Sequence, residues 1–278
     1  MDSRSWFALF VVVLIGSAGF LLGPVSGQTQ SGAPARLIRE EQLVVVDGIP
    51  ENWRLQWSSE PSPVCPPADD TTFTCPCEPF AYGEAGTLDL VRLRNGQEYE
   101  RLALTPLFEE SIAGTKAVLQ RWPVQDGDAD RVFAHRLDSD WSAAERREIE
   151  KRSLAKIMKL ADFDHDGKAT EFFLPVADRP CGKSLGVVIG VSPRNTRLHV
   201  FDSVATPGVP LQLFAWEWEA LQKSSGPSTV VEWRCGDHGA EVETLVQVQA
   251  TTRGIQLHQE DYECTDRGRG KLTLSKDR

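Results

Sequence analysis

The sequence lacks an excess of basic side chains. Its 40 Asp and Glu residues outnumber 30 Lys and Arg residues, and the formal net charge is -10. Nucleic-acid binding needs a basic face, so this balance argues against a nucleic-acid partner. One small basic cluster does not reverse the argument, because the glycines between Arg267, Arg269 and Lys271 predict a solvated turn.

Local catalytic motifs are also missing. The letters Gly-x-Ser-x-Gly occur once, at residues 182–186, but the strand-like run from Leu185 to Val191 follows where a nucleophile elbow needs a helix. No pair of histidines has zinc-ligand spacing. Gly182-Lys183-Ser184 imitates the end of a phosphate-binding loop, but the first glycine of that motif would fall at Ala177. Pairs of carboxylates can be chosen almost anywhere in so acidic a chain, so they do not indicate a glycosidase. The sequence therefore leaves open whether the protein is an enzyme.

Long apolar runs are scarce, and the clearest one extends from Trp6 to Leu22. Gly23-Pro24 and small residues follow it, which is typical of a secretory cleavage region. We predict a signal peptide at residues 1–27, with an uncleaved membrane anchor as the alternative. The chain is then expected outside the cytoplasm, whether secreted, periplasmic or N-terminally anchored. A membrane contact is expected only if the segment is retained.

Six cysteines suggest three disulfides in an oxidising compartment. Three lie before residue 100 and three after residue 180, so full pairing needs at least one bridge between the halves. Cys75 and Cys77 are too close in sequence to pair without strain, and a redox or metal-ligand pair is the alternative for them. The sequence leaves the connectivity open among Cys65, Cys75, Cys77, Cys181, Cys235 and Cys264.

Strand signals dominate the rest of the chain. Trp53, Leu55 and Trp57 alternate with polar residues, which predicts a half-buried strand; two tryptophans on one face favour core over a sugar-stacking platform. Asn95-Gly96 between two strand-like runs is a strong hairpin signal. We predict a flexible leader at 28–42, a β-rich part at 43–137, and a C-terminal part at 138–278. Within the last, residues 229–264 predict a three-strand meander.

One long helix is predicted at about residues 143–160. Ser142 and Glu145 fit a capping box at its start. The one-face spacing of a helix is followed by Leu154, Ile157, Met158 and Ala161. The predicted fold class is therefore α+β, mainly antiparallel β-sheet with one long helix leading into an acidic loop.

That loop, residues 162–171, carries the strongest chemical signal. Asp162, Asp164 and Asp166 occupy positions one, three and five, and Gly167 at position six permits a sharp turn. The carbonyl of Lys168 at position seven would add another oxygen. Three like charges at the C-terminus of a helix repel one another and the negative end of the macrodipole. A calcium ion would relieve both repulsions.

The segment at about residues 143–173 resembles the EF-hand calcium loop and its dockerin-like and integrin-type relatives. Position twelve is Phe173 instead of a bidentate glutamate, and position eight is Ala169. Residues 172–176 look like a strand and not an exiting helix, so Glu171 becomes the replacement ligand. The resemblance implies calcium as the cofactor, held by Asp162, Asp164, Asp166, Lys168, Thr170 and Glu171.

A second loop repeats the aspartate spacing at Asp126, Asp128 and Asp130, but Arg131 stands where glycine is needed. No paired calcium loop is therefore expected. The chain reads as an exported calcium-binding protein in which the ion has a structural role. The alternatives are a secreted hydrolase whose catalytic residues form no visible motif, and a carbohydrate- or protein-binding module.

Overall fold

The computed structural model describes residues 37–64, 82–108, 114–123, 125, 148–179 and 183–278. It is mostly antiparallel β-sheet, with 59% strand and 9% helix, so the predicted α+β class with a long helix is wrong. The strands, in chain order, are β1 (Leu37–Val46), β2 (Ile49–Trp57), β3 (Ser62–Val64), β4 (Gly83–Gly86), β5 (Leu88–Arg94), β6 (Gln97–Ala103), β7 (Ala117–Gln120), β8 (Glu171–Arg179), β9 (Lys183–Ser192), β10 (Asn195–Val200), β11 (Leu213–Phe214), β12 (Ser228–Trp233), β13 (Val242–Thr251), β14 (Gly254–Thr265) and β15 (Gly268–Asp277).

Two hairpins form the first sheet, in the order β1-β2-β5-β6. Their turns are Asp47-Gly48 and Asn95-Gly96, and all four residues have positive φ, from 51° to 79°. This is the backbone of a two-residue hairpin turn, so the hairpin prediction at Asn95-Gly96 is confirmed. Trp53 and Trp57 are buried, which confirms that this strand face is core. A smaller sheet has the order β3-β4-β7.

The third sheet is built around β9, which pairs with β8, β10 and β11. Because side chains alternate along a strand, Val187 and Ile189 pack into a core shared with the first sheet. Val188 points the other way, into a second core with the last sheet and the helix α1 (Ala215–Lys223). The strand β8, which starts at the acidic loop, is therefore packed within the molecule.

The last sheet is a meander in the order β12-β13-β14-β15. Its first three strands match the prediction. Of the residues expected in a solvated basic turn, Arg267 lies in the turn between β14 and β15, whereas Arg269 and Lys271 lie in β15. Arg269 lies in β15 and pairs with Glu243, so that charge is part of the sheet surface. Cys235 and Cys264 form a disulfide within this sheet region.

The predicted long helix is absent from the described part of its range. Residues 148–150 are helical, but residues 153–160 have no helical structure. The N–H of Ala155 donates to the carbonyl of Arg121 at 2.8 Å, and Ile157 and Met158 donate to Glu40 Oε2 at 2.7 and 3.2 Å. These distant acceptors replace the local bonds of a helix, so tertiary contacts override the helical pattern.

Several predictions concern residues outside the described ranges. These include the signal segment, residues 28–36 of the predicted flexible leader, and the boundary near residue 137. For residues 37–42 the leader prediction is wrong, because they belong to β1 and pair with β2. No described helix is both long and apolar enough to cross a membrane. The predictions for nine further residues also lie outside the described ranges: Cys65, Cys75, Cys77, Cys181, Ser142, Glu145, Asp126, Asp128 and Asp130.

Candidate metal site

The acidic loop follows an extended segment that ends at Ala161, and it leads into β8 at Glu171. Ala161 and Glu171 exchange backbone hydrogen bonds of 2.8 and 3.2 Å, which close the loop at its base. His165 and Gly167 take up the left-handed backbone needed for the sharp turn, with φ of 57° and 88°. The closure brings the Glu171 side chain back beside the first residues of the loop.

Three carboxylates converge inside the loop. Asp162, Asp164 and Glu171 each offer one oxygen, and these oxygens lie within 4.8 Å of one another. Calcium binds oxygens at about 2.3–2.6 Å, so two ligands on opposite sides of an ion are about 4.6–5.2 Å apart. The spacing of the three oxygens therefore fits around one calcium ion.

Glu171 is the least exposed member of the cluster, at 0%. Its Oε2 accepts the N–H of Phe163 at 2.9 Å, and its Oε1 accepts the Thr170 hydroxyl at 2.6 Å. Burial raises the pKa of Glu171 to about 8; these two hydrogen bonds oppose the rise, and the charge of Asp164 adds to it. The charged form of this side chain is costly here unless a cation joins it.

Asp164 is subject to the same physics. Burial raises the pKa of its carboxyl, and the charge of Asp166 contributes in the same direction. In the described part of the chain, no Lys or Arg forms an ion pair with Asp162, Asp164 or Glu171. The charge of Arg194 opposes the rise at Asp164 without forming an ion pair, so the three carboxylates are not neutralised by direct contact with a basic side chain.

Backbone donors hold the two loop aspartates in place. The N–H of Asp166 lies 3.1 Å from Asp162 Oδ1 and 3.2 Å from Asp164 Oδ1, and the N–H of Gly167 donates to Asp162 Oδ2 at 3.0 Å. A carboxylate held this way loses less conformational freedom when it binds an ion. The site is therefore partly formed in the chain alone.

The other predicted ligands have different partners. Asp166 accepts the backbone N–H of Lys168 at 2.7 Å and lies 3.9 Å from its ammonium. The ammonium itself pairs with Asp47 at 2.9 Å, in the turn between β1 and β2. Thr170 donates its hydroxyl to Glu171 and so orients that ligand. A role for the Lys168 carbonyl remains a prediction.

The elements on both sides of the loop differ from those of an EF-hand. No helix leads into the loop among residues 153–160, so repulsion from a helix macrodipole does not apply here. The strand predicted after the loop is confirmed as β8. A cation is favoured here by the burial of Glu171 and by the mutual repulsion of the three carboxylates.

Sequence reasoning missed the contacts that support the loop. Phe163 packs edge-to-face on Trp218 of α1 with ring centroids 5.9 Å apart, and His165 Nε2 lies 2.7 Å from the Leu221 carbonyl oxygen. Gly190 faces Glu171 in the β8–β9 ladder, and a Cβ there would lie 2.3 Å from the Thr170 carbonyl oxygen. A glycine within the apolar run of β9 is the one sequence signal of that close approach.

A second polar cluster lies on the meander. The Ser275 hydroxyl and His258 Nε2 are 3.0 Å apart, and His258 Nδ1 is 2.9 Å from Asp277 Oδ1. A hollow of about 420 Å³ adjoins it, lined in part by Gln247, His258 and Asp277. Sequence reasoning missed this Ser275–His258–Asp277 cluster because only the pairing of β14 with β15 brings it together.

The chain was also compared with known proteins. No protein-family model, curated protein or solved structure matches it. What the fold and the site define is an antiparallel β protein with a carboxylate cluster around the buried Glu171 at the start of β8.

Proposed function

We propose that this chain is an exported calcium-binding protein in which the ion joins the acidic loop to the start of β8. The observation that carries the proposal is the convergence of Asp162 and Asp164 on the fully buried Glu171. Calcium takes six to eight oxygens in flexible geometry, and carboxylates, carbonyls and water can complete such a set. Magnesium demands a stricter octahedron at about 2.0–2.1 Å, which suits this irregular loop less well.

The proposed role of calcium is structural because the loop is anchored on several sides. Glu171 belongs to β8, Phe163 and His165 contact α1, and Lys168 pairs with Asp47 in the β1–β2 turn. An ion-driven switch needs an element that can move. A loop anchored in this way favours local stabilisation over movement.

The proposed location outside the cytoplasm is supported by the signal-like N-terminus of the sequence and by the disulfide between Cys235 and Cys264. Extracellular calcium modules function with dissociation constants of roughly 10⁻⁴ to 10⁻³ M. A modest affinity is therefore sufficient for the proposed role.

Thermal unfolding with calcium and with EDTA tests the proposal. An ion that binds only the folded chain stabilises it by RT ln(1 + [L]/Kd). At about 2 mM calcium, a Kd between 10⁻⁴ and 10⁻³ M corresponds to roughly 0.6–1.8 kcal/mol. We expect Asp164→Asn to abolish this gain. Asp266→Asn, an exposed aspartate in the β14–β15 turn, is the matched control and should keep it.

The ligand set can be tested in the same assay. Asp166 is turned toward Lys168, so Asp166→Asn should retain most of the calcium response, whereas Glu171→Gln should lose it. If the parent chain has the same melting temperature in calcium and in EDTA, the proposal is refuted. An unchanged response in both Asp164→Asn and Glu171→Gln would remove the site from this loop.

A second candidate function is hydrolysis at the Ser275–His258–Asp277 cluster. The order of hydrogen bonds, from hydroxyl to imidazole to carboxylate, is that of a nucleophile, a general base and an orienting acid. We rank it second because Asp277 is 80% exposed and because Glu260 lies 3.9 Å from His258 Nε2, the nitrogen that faces Ser275. A carboxylate so close to the nucleophile would oppose a developing oxyanion.

A fluorophosphonate reagent, which reacts with activated serines, separates the two candidates. For a hydrolase, mass spectrometry should find the label on Ser275 in the parent chain, and His258→Ala should prevent labelling. A parent chain that stays unlabelled at Ser275 would exclude this candidate without affecting the calcium proposal.

A further inference from the structure

A hollow of about 540 Å³ lies between β7, residues 156–161, β8 and α1. This volume is within the range of small-molecule sites, about 300–1,000 Å³. Its walls are largely apolar. Its apolar lining includes Leu119, Ile157, Phe163, Phe173 and Trp218.

Positive charge lines one side of this hollow. Lys156 and Lys159 are both exposed and both line it. Among the described residues, neither lysine forms a salt bridge with an acid. On α1, Glu219 also lines the hollow, but it pairs with Lys223 at 2.7 Å. In a chain with a net charge of -10, two lysines without acidic partners beside an apolar hollow favour an anionic ligand.

We propose that this hollow binds an amphiphile with a carboxylate head and a single alkyl chain, of the chemical class of medium-chain fatty acids. The alkyl chain lies against Ile157, Phe173 and Trp218, and the carboxylate pairs with Lys156 and Lys159. The apolar walls bury the alkyl chain away from water, and the lysines pair with the charged head. A neutral chain satisfies the walls but leaves the lysines without a partner.

The site is separate from the calcium ligands but shares a wall with their loop. Phe163 lines the hollow, and its backbone N–H donates to Glu171. Neither lysine belongs to the carboxylate cluster, so substituting them leaves the proposed calcium site intact. The two proposals can therefore fail independently.

Trp218 offers a direct readout of binding. Its ring is buried at the wall of the hollow, and its Nε1–H donates to the Gly186 carbonyl at 3.0 Å, which fixes its position. A brominated fatty acid in the hollow should quench its fluorescence by contact. Trp218→Phe should then remove most of the quenching while decanoate still binds.

Calorimetric titration with decanoate, decanol and a cationic decyl ammonium tests the proposal on the full chain, with calcium present and the ligands below micelle concentration. Decanoate should bind most tightly. Extending the chain from octanoate to decanoate should strengthen binding about fourfold per added CH₂ group. The Lys156→Gln/Lys159→Gln variant should bind decanoate about tenfold more weakly, with decanol unchanged.

Two controls separate this site from non-specific adsorption. Lys151→Gln/Lys271→Gln removes two exposed lysines that do not line the hollow, and it should bind decanoate like the parent. Ala215→Trp places a ring in the hollow and should weaken decanoate and decanol alike. Equal affinity of the parent for all three ligands, or unchanged decanoate affinity in the Lys156→Gln/Lys159→Gln variant, would overturn the proposal.

Discussion

Glu217 in α1 offers a pH-dependent prediction that does not involve the calcium loop. Its carboxyl is 1% exposed, and Oε2 accepts the N–H of Phe214 at 2.8 Å, while Oε1 has no hydrogen-bond partner. Burial raises its pKa to about 7; the nearby Glu232 adds to the rise and Arg278 opposes it. The folded chain therefore holds a proton on Glu217 that the unfolded chain releases near pH 4.5.

The sign of the effect follows from this difference. Because the folded-state pKa is higher, the stability linked to the proton is complete below about pH 4.5 and is lost as the pH rises through about 7. A difference of about 2.5 pKa units corresponds to about 3 kcal/mol. Glu217→Gln cannot ionise, so relative to the parent it should gain up to about 3 kcal/mol between pH 5 and pH 8.

Urea unfolding of both chains at pH 5 and pH 8, in EDTA, measures this gain. Other titrating groups are present in both chains and cancel in the comparison. The control is Glu219→Gln, which changes a side chain on the exposed face of the same helix. Its stability relative to the parent should not differ between pH 5 and pH 8. The reasoning is refuted if the stability difference between Glu217→Gln and the parent is the same at both pH values.

Two further predictions concern buried groups elsewhere. Arg92→Met removes the buried cation that lies 2.7 Å from both Glu51 and Glu100 and leaves Glu51 only the 40%-exposed Arg94 at 2.6 Å. It should destabilise the chain by about 3 kcal/mol in urea unfolding, and a loss under 1 kcal/mol contradicts this. Gly190→Ala places a Cβ 2.3 Å from the Thr170 carbonyl oxygen, so it should lower the melting temperature and reduce the calcium response. Gly226→Ala, where the nearest atom would be 3.9 Å away, should do neither, and equal behaviour of the two variants would contradict the account.

The sequence alone determined features that depend on neighbouring residues. Asn95-Gly96 predicts its hairpin because both turn positions need positive φ, and the structure has φ of 51° and 77° there. The alternation of Trp53 and Trp57 predicts one buried strand face. The aspartates and Gly167 of the acidic loop mark a candidate cation site through their spacing.

Only the tertiary structure decided features that depend on distant residues. The helical pattern before the loop fails because Ile157 finds its acceptor in Glu40, which is 117 residues away in sequence. The high pKa of Glu171 comes from burial within packed sheets, which no local pattern reveals. The Ser275–His258–Asp277 cluster exists only because β14 pairs with β15. Periodicity reports which face of an element is apolar, whereas the partner across the fold determines hydrogen bonding, burial and charge.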